Sequence, residues 1–497
     1  MRPQAALPLA LAAGALHTAA FAPTGWWWLS PLALALLAAL VQRATPAQAA
    51  ARGAAFGMGW FVTGLWWLYV SLHDFGGLPS LPSALAVGLL CAFQSAYVAA
   101  AMALAAWLRR GSPLPDALTF AAAWLVMELA RAQWFTGFAW MASGYPHTDG
   151  PLARLAPWIG VHGIGFVVAL LAAALAQAVI ARRRALPALA AGLALPLIGL
   201  ALPQHFTNPV GPLRISLIQP AIAQDLKFDA DYLLQGLARL EAQLHAAKGD
   251  LVVTPESVLP LPREALDAER WQALTAPFGQ GRAALIGLFD KGEQGLYVNT
   301  LMGVGGQSAG YAYGKRHLLP FGEFVPWGFR WFVDLLAIPL GDQGHGRETR
   351  PFVVGDQRVR PLICYEDLFG EDFADAFVGP EAATLMVNAT NLAWFGPHLV
   401  QDQHLQFSRM RALEFQRAVA RATNTGATAL VDHEGRVTVR LAPLVVGTLE
   451  VTAQGRKGST PYARWLAAWG LAPLWLLAGA WLLSCRRPWP YRPASRW

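Results

Sequence analysis

The amino-terminal part of the chain is dominated by long apolar stretches. No charged residue occurs between Arg2 and Arg43, and the segment FAPTG at 21–25 divides this run into two lengths. Each length approaches the ~20 residues that a helix needs to cross a bilayer. The whole chain of 497 residues is 55% hydrophobic and only 14% charged, which is too apolar for an ordinary soluble enzyme. The sequence therefore predicts a pair of membrane-spanning helices joined at FAPTG.

More apolar stretches follow this pair. They lie at about 54–72, 83–108, 114–130, 158–180, 186–202 and 465–484. We therefore expect about eight transmembrane helices, seven before a long interruption and one after it. Residues 2–22 could instead be a cleaved signal peptide, because they end in the small residues of HTAAFA. A retained helix is favoured, since little positive charge precedes the stretch and another apolar run follows at once.

Positively charged residues are unequally divided between the connections. If the amino terminus is cytoplasmic, the connections on that side carry Arg2, Arg43, Arg52, Arg109, Arg110, Arg182, Arg183, Arg184, Arg486, Arg487, Arg492 and Arg496. The opposite side carries only Arg131 and Arg154 before residue 205. Lys and Arg collect in cytoplasmic loops. Both termini are thus predicted to be cytoplasmic, and the region between the seventh and eighth helices to lie outside the cytoplasm.

The middle region, 205–462, has a different character. It contains 23 Lys and Arg against 27 Asp and Glu, so the net charge of +7 comes from the membrane segments and does not indicate a nucleic-acid partner. Strand-like segments lie at 213–220, 250–257, 283–290, 300–306, 358–366, 383–391, 427–435 and 436–441. Helical patterns occur at 229–247 and 402–420. This alternation predicts a layered α/β domain.

Three domains follow from these patterns. Residues 1–204 would form a membrane domain of seven transmembrane helices, and 205–462 an α/β domain outside the cytoplasm. Residues 463–497 would form the last transmembrane helix and a basic cytoplasmic tail.

Cys364, in RPLICYEDLF at 360–369, is the one cysteine of the middle region, because Cys91 and Cys485 fall in or at the end of apolar stretches. A single thiol can form neither a disulfide within the domain nor a cysteine-based metal site. It could be a small buried hydrophobe, which is common for cysteine. It could also be a nucleophile at the carboxyl end of a buried strand, where α/β sites gather. The second reading requires a base or a cation nearby, because a free thiol ionises only at about pH 8.5.

Two residues could supply such partners. Glu256 closes the segment LVVTPE after an apolar strand, and Lys315 opens KRHLLPFGEFVP. Taken alone, each is more often a solvated surface residue. The chain has no GxSxG, Walker A or GxGxxG motif, and its histidines lack metal-site spacing. We therefore expect neither a metal nor a cofactor.

Taken in order, the motifs resemble a known family. TPES, GKRHLLPFGEFVP and ICYE resemble the glutamate, lysine and cysteine triad of the nitrilase superfamily. FAPTGWWWLSPLAL, FTGFAWMASGYPHTDGPLARLAPWIGVHGIGF at 135–166, AWFG at 393–396 and RMRALEFQRAVARATNTG at 409–426 are similar to the apolipoprotein N-acyltransferases. The resemblance implies a multi-span α-helical protein of the bacterial inner membrane with an inserted nitrilase-like αββα sandwich in the periplasm.

The resemblance also implies a reaction. The family moves an acyl chain from a phospholipid, usually phosphatidylethanolamine, to the α-amino group of the lipidated amino-terminal cysteine of an apolipoprotein, the last step of lipoprotein maturation. Carried over, Cys364 would form the thioester and Glu256 would act as general base. Lys315 would stabilise the oxyanion, with the backbone N–H of Tyr365 as a second donor.

Supporting positions map by the same motifs. Glu323 matches the second glutamate of the family, and Tyr365 and Glu366 follow the cysteine as expected. A carboxylate at Glu366 would hold the ammonium of Lys315 in place, so Glu366→Gln should reduce acyl-enzyme formation.

Substrate contacts map less directly. Gly137 and Trp140 match positions near the lipid entrance, although Trp140 could also be an ordinary interfacial tryptophan. Phe228 and Trp394 are expected to contact substrate. This chain has Phe228 where the family usually has tryptophan, and Leu392 where it usually has a carboxylate.

Two other functions fit parts of the sequence. A membrane-anchored amidase of the nitrilase type, acting on a small soluble amide, would have the same triad. A transporter or receptor would carry charges inside its membrane segments, and the apolar stretches offer almost none apart from Glu128.

Overall fold

A computed structural model describes residues 5–224, 230–279, 281–292, 295–328, 330 and 342–485. The amino-terminal half forms a bundle of apolar helices, α1 (Ala6–Thr18), α2 (Leu29–Val41), α3 (Pro46–Leu65), α4 (Ser80–Leu108), α5 (Pro113–Gln133), α6 (Ala156–Ala181) and α7 (Leu186–Ala201). The helical break predicted at FAPTG is present between α1 and α2.

The prediction of eight transmembrane helices is not met. By length and composition, Ser80–Leu108 and the stretch Pro151–Ala201 could each cross a membrane. Two bent pairs, Pro46–Leu65 with Leu68–Phe75 and Pro461–Trp469 with Ala472–Ser484, raise the number among the described residues to at most four. The helices α1 and α2 have 13 residues each, and ~1.5 Å per residue leaves them short of the ~30 Å hydrocarbon core. Continuous apolar sequence did not reveal where the helices break.

The outer surface of the bundle is apolar. Leu81, Leu85 and Leu89 on α4 are 69%, 57% and 68% exposed, and several residues on other helices are similarly uncovered. An apolar surface of this extent is unfavourable in water. The protein is therefore a membrane protein.

Two six-stranded sheets form the middle of the chain. The first contains β1 (Thr207–Gln219), β2 (Leu251–Val253), β3 (Ala283–Lys291), β4 (Tyr297–Val304), β5 (Ala312–Gly314) and β12 (Gly447–Gly458), in the order β12-β1-β2-β3-β4-β5. The second contains β6 (Phe352–Val354), β7 (Gln357–Ile363), β8 (Leu385–Thr390), β9 (Val419–Thr423), β10 (Ala429–Val431) and β11 (Val437–Arg440), in the order β11-β10-β9-β8-β7-β6. Strands β1, β2 and β3 run parallel to one another, and so do strands β7, β8 and β9.

The two sheets pack face to face between helices. Successive residues of a strand face opposite sides of its sheet. In β2, Leu251 and Val253 therefore enter the core between the two sheets, whereas Val252 faces the outer side. The outward face of the first sheet is covered by α8 (Ala230–Ala246) and α9 (Ala268–Thr275). That of the second sheet is covered by α10 (Val400–Phe415). The result is a nitrilase-like αββα sandwich.

Helix α10 also joins the sandwich to the membrane helices. Its buried side chains share one apolar core with α6 and with α11 (Pro461–Trp469), which is followed by α12 (Ala472–Ser484). Polar contacts cross the same junction: Glu414 accepts a hydrogen bond from the N–H of Val161 at 2.7 Å, and the indole of Trp140 donates to Gln403 at 2.8 Å. The sandwich and the bundle are therefore one packed unit at this face.

Every predicted strand segment overlaps an observed strand, but four strands escaped prediction: β5, β6, β9 and β12. The short strands β5 and β6 have too few residues to show a period. The predicted helix at 402–420 instead ends at Phe415, because Gln416 adopts a left-handed conformation (φ 49°), and Val419 already begins β9.

The crossing of α1 and α3 depends on glycine. A Cβ on Gly59 would lie 2.0 Å from the carbonyl oxygen of Leu11, and one on Gly14 would lie 1.9 Å from that of Phe56. The two helices therefore touch backbone to backbone, as small residues permit in membranes.

We expect Gly59→Val to lower the melting temperature of the detergent-solubilised protein by about 1–3 °C, since overpacking costs roughly 1–3 kcal/mol and a chain of 497 residues unfolds with an entropy of about 1 kcal/mol per kelvin. Gly88→Val on α4 is the matched control, because a Cβ at Gly88 meets nothing within 4 Å. Equal melting temperatures of the two variants would contradict the close crossing.

Candidate active site

Three predicted catalytic residues meet at the ends of strands. Glu256 follows β2, Lys315 follows β5 and Cys364 follows β7. The ammonium of Lys315 lies 3.2 Å from Oε1 of Glu256, and both of these charged groups act on the pKa of the Cys364 thiol. The structure therefore brings the predicted base, cation and nucleophile together, although they come from both sheets.

The backbone at Cys364 has an uncommon conformation. Cys364 opens the short helical turn Cys364–Leu368 with φ 51°, in the left-handed region that side chains rarely adopt. Its carbonyl accepts a hydrogen bond from the amide of Asn388 at 3.2 Å. Such local strain persists only where surrounding contacts hold it, and it is concentrated at functional sites.

Glu256 is buried and fixed on both oxygens. Oε1 accepts a hydrogen bond from the side-chain amide of Asn299 at 2.7 Å, and Oε2 accepts one from the N–H of Asn391 at 3.0 Å. The side chain is only 7% exposed. The carboxylate is thus held in one orientation next to the thiol, as a general base requires.

A second carboxylate, Glu323, shares the lysine. Its Oε1 lies 2.7 Å from the ammonium of Lys315, closer than Glu256, and its Oε2 accepts from the N–H of Leu319 at 2.8 Å. The amide of Asn299 reaches Oε1 of Glu323 at 3.4 Å, so it bridges the two carboxylates. Lys315 is therefore held by two acidic side chains, with 2% of its surface exposed.

The charges of the site set its resting protonation. Burial raises the pKa of the Cys364 thiol well above its usual value, and the Glu256 carboxylate raises it further against the opposing effect of Lys315. Burial by itself would lower the pKa of Lys315, but Glu256 and Glu323 outweigh it and hold that pKa well above its usual value. The resting site thus contains a neutral thiol, an adjacent base and a permanent cation. Such a site can carry out acyl transfer through a thioester.

Comparison with known proteins agrees with this chemistry. Residues 13–174 match the family model described as apolipoprotein N-acyltransferase N-terminal domain, and residues 214–462 match the one described as carbon-nitrogen hydrolase. The apolipoprotein N-acyltransferase of Ralstonia nicotianae is 45% identical over 475 residues, which cover 92% of this chain and 90% of that protein. The chain belongs to the apolipoprotein N-acyltransferase family.

Other relatives are consistent with this membership. The apolipoprotein N-acyltransferase of Verminephrobacter eiseniae is 41% identical over 500 residues, covering 94% of this chain and 93% of that protein. Among solved structures, a glutamine-dependent NAD+ synthetase from Acinetobacter baumannii is similar over 49% of this chain and 45% of its own, with 14% identity and a TM-score of 0.35. That structural likeness is too distant to bear on function.

The expected contact between Glu366 and Lys315 is not found. The ion pairs of Lys315 are instead with Glu256 and Glu323. Glu366 instead accepts hydrogen bonds from the N–H groups of Ile363 at 2.7 Å and Arg316 at 2.8 Å. It also accepts one from the hydroxyl of Tyr313 at 2.9 Å. Glu366 therefore links the backbone before the cysteine to the backbone after the lysine. In this family member it can position both residues without touching the ammonium.

Tyr365 points away from the triad. Its hydroxyl donates to the carbonyl of Gly137 at 3.0 Å, in the connection between α5 and α6. The catalytic turn is thus tied to a loop of the membrane domain. The backbone N–H of Tyr365 remains a predicted second oxyanion donor.

The predicted substrate residues lie in different surroundings. Gly137 has φ 82°, and a Cβ there would lie 2.0 Å from the carbonyl of Ala132, so only glycine fits. Trp140 is 4% exposed, which places it in the interior at the junction and not at an outer interface. Trp394 is 37% exposed and makes an edge contact with Phe75. Phe228 lies outside the described residues.

The sequence did not indicate the surroundings of Leu392 or the contacts of two asparagines in the site. Leu392 is 1% exposed and joins the apolar core. The two residues that fix Glu256, Asn299 and Asn391, were missed. An asparagine inside the apolar strand YVNTLMGV was the available signal for Asn299, because a buried amide requires partners.

In the described part of the chain, no three His, Cys, Asp or Glu side chains form a group that could hold a metal ion.

We expect two substitutions to move the pKa of Cys364 in opposite directions. Glu256→Gln removes a negative neighbour and should lower it, whereas Lys315→Met removes a positive neighbour and should raise it. The measurement is the rate of alkylation of Cys364 by iodoacetamide as a function of pH, read from the Cys364 peptide. The profile should shift to lower pH in the first variant and to higher pH in the second. Shifts in the same direction would contradict this account of the site.

Proposed function

We propose that this enzyme transfers an acyl chain from a phospholipid to the amino-terminal cysteine of lipoproteins, through a thioester on Cys364. The observation that carries the proposal is the placement of Cys364 beside the buried Glu256 and Lys315 in a sandwich packed on an apolar helix bundle. Family membership supports the same reaction. A phosphatidylethanolamine-like donor is part of this proposal.

The first half-reaction begins at the thiol. Glu256 takes the proton as the sulfur attacks the ester carbonyl of the phospholipid, and the oxyanion forms near the ammonium of Lys315. Collapse of the intermediate breaks the ester C–O bond. Glu256 returns the proton to the departing alcohol, which leaves as lysophospholipid, and the acyl chain remains on Cys364. Because Glu256 is fixed on both oxygens, it can give and take this proton without moving.

The second half-reaction uses the same groups. The α-amino group of the lipoprotein attacks the thioester carbonyl, Lys315 again stabilises the oxyanion, and Glu256 removes a proton from the amine. The C–S bond breaks as the amide forms, and the thiol regains its proton. Glu323 keeps Lys315 in place during both steps, since its carboxylate is the nearer partner.

We further propose the location and orientation of the chain. Residues 205–462 would face the periplasm from the bacterial inner membrane, with helical segments at 1–204 and 463–497 and cytoplasmic termini. The distribution of arginines supports this orientation. A single cysteine introduced at the exposed Ala238 in a Cys91→Ala, Cys364→Ala, Cys485→Ala background should react with an impermeant maleimide in spheroplasts. Labelling only after lysis would reverse the orientation.

The deciding experiment is mass spectrometry of the Cys364 peptide after incubation with phosphatidylethanolamine. We expect a fatty-acyl adduct that hydroxylamine releases, as it releases thioesters, and no adduct in Cys364→Ala. Adding a diacylglyceryl peptide with a free amine should discharge the adduct. Turnover of small soluble amides without a lipid adduct would instead favour a membrane-anchored amidase.

Removing the oxyanion cation should be nearly as harmful as removing the nucleophile. We expect Lys315→Met to slow acyl-enzyme formation by about 100-fold to 1000-fold, as loss of an oxyanion donor typically does. Lys291→Met, at the exposed end of β3, is the matched control and should retain the wild-type rate. A loss of less than tenfold in Lys315→Met would contradict the assigned role.

A further inference from the structure

The connection between α5 and α6 contains a strained loop beside the active site. Phe135, Thr136 and Gly137 are successive residues with φ of 54°, 72° and 82°. Two of them carry side chains, for which this conformation is unfavourable. A run of this kind persists only if other contacts hold it.

Two side chains of the sandwich hold this loop by adjacent carbonyls. Nε2 of His317 lies 2.9 Å from the carbonyl oxygen of Thr136, and the hydroxyl of Tyr365 donates to that of Gly137 at 3.0 Å. His317 is two residues beyond Lys315, and Tyr365 directly follows Cys364. The strained loop is thus tied to both catalytic segments.

His317 is itself fixed on two further sides. Its Nδ1 lies 2.7 Å from Oδ2 of Asp372, and its ring stacks on Phe369 with centroids 3.5 Å apart. A Cβ added to Gly137 would lie 2.9 Å from the Phe369 ring. Phe369 therefore touches both the histidine and the loop, and the three form one packed contact.

The other side of the loop faces the outer apolar surface. Trp134 and Phe135 are 54% and 75% exposed. Phe135 makes an edge contact with Phe93 of α4, and Trp134 stacks on Trp475 of α12. The same loop therefore borders the lipid-facing surface on one side and the cysteine turn on the other.

From this placement we infer that His317 is a positioning residue for the lipid donor: it holds the loop 134–137 where a phospholipid acyl chain must pass to reach Cys364. The inference rests on the proposed function. Both ring nitrogens of His317 face the loop and Asp372, so the ring is engaged away from the reacting atoms. Its loss should weaken capture of the lipid and leave the chemical step intact.

The test compares His317→Phe, which keeps a ring to stack on Phe369 but loses both hydrogen bonds, with wild-type enzyme in mixed micelles. Single-turnover formation of acyl-Cys364 is followed by intact mass against phosphatidylethanolamine concentration. We expect the half-saturating concentration to rise about tenfold and the maximal rate to stay within twofold. His317→Gln, whose amide can still donate to the Thr136 carbonyl, should fall between the two.

A soluble short-chain ester, p-nitrophenyl butyrate, provides the second readout. It bypasses the lipid surface, so His317→Phe should be acylated by it at the wild-type rate, which also shows that the variant is folded. His245→Phe is the matched control, because it loses a histidine bond to the Ala273 carbonyl on an exposed outer helix.

The outcomes separate the two proposals. Three results would each overturn the role of His317. They are a lower maximal rate with an unchanged half-saturating concentration of lipid, kinetics equal to those of wild type, and an equal loss of rate with the soluble ester. A wild-type enzyme that reacts with the ester but forms no adduct with phospholipid would overturn the proposed function itself.

Discussion

The ammonium of Lys315, shared between Glu256 and Glu323, is the interaction on which the site depends. A lone buried cation would be strongly unfavourable, and so would two carboxylates bridged by Asn299 without it. The two carboxylates hold the pKa of Lys315 well above its usual value, while burial and Glu256 raise the pKa of the neighbouring thiol. The sandwich supplies this arrangement because Glu256, Lys315 and Cys364 follow the carboxyl ends of β2, β5 and β7. The packing of the two sheets brings these three strand ends together around the buried ammonium.

A soluble sandwich could hold the same triad, and the junction with the membrane helices is what distinguishes this one. Helix α10 is buried on the sheet side and on the membrane side. Across the same junction, the hydroxyl of Tyr365 and the ring of His317 reach a loop of the helix bundle. The segments that contain Cys364 and Lys315 are therefore in direct contact with the apolar helix bundle. This proximity accords with the proposed phospholipid donor.

Much of this could be predicted from sequence because the signals were local. Glu256 and Cys364 each follow an apolar strand and lie in recognisable motifs, so the sequence grouped with Lys315 three residues that the structure brings together. The contact between Glu366 and Lys315 was predicted wrongly, since adjacency in a motif does not say which way a side chain turns. The number of membrane spans was wrong for a related reason. Hydropathy averages over a stretch and does not register the bends after Leu65 and Trp469, the second of which falls at Gly470 with φ 56°.

The sequence by itself indicated the family of the protein, its apolar helices, the alternating α/β domain and the three residues Cys364, Glu256 and Lys315 that we propose as nucleophile, base and cation. The helices and the domain depend on composition and periodicity, which are local to each segment, whereas the three residues were singled out by motifs that resemble a known family. Only the tertiary structure decided which carboxylate is nearer to Lys315, that Asn299 and Asn391 fix Glu256, and that His317 reaches Thr136 across 181 residues of chain. Such contacts join residues that are far apart in sequence, so they exist only once the two sheets and the helix bundle have packed together.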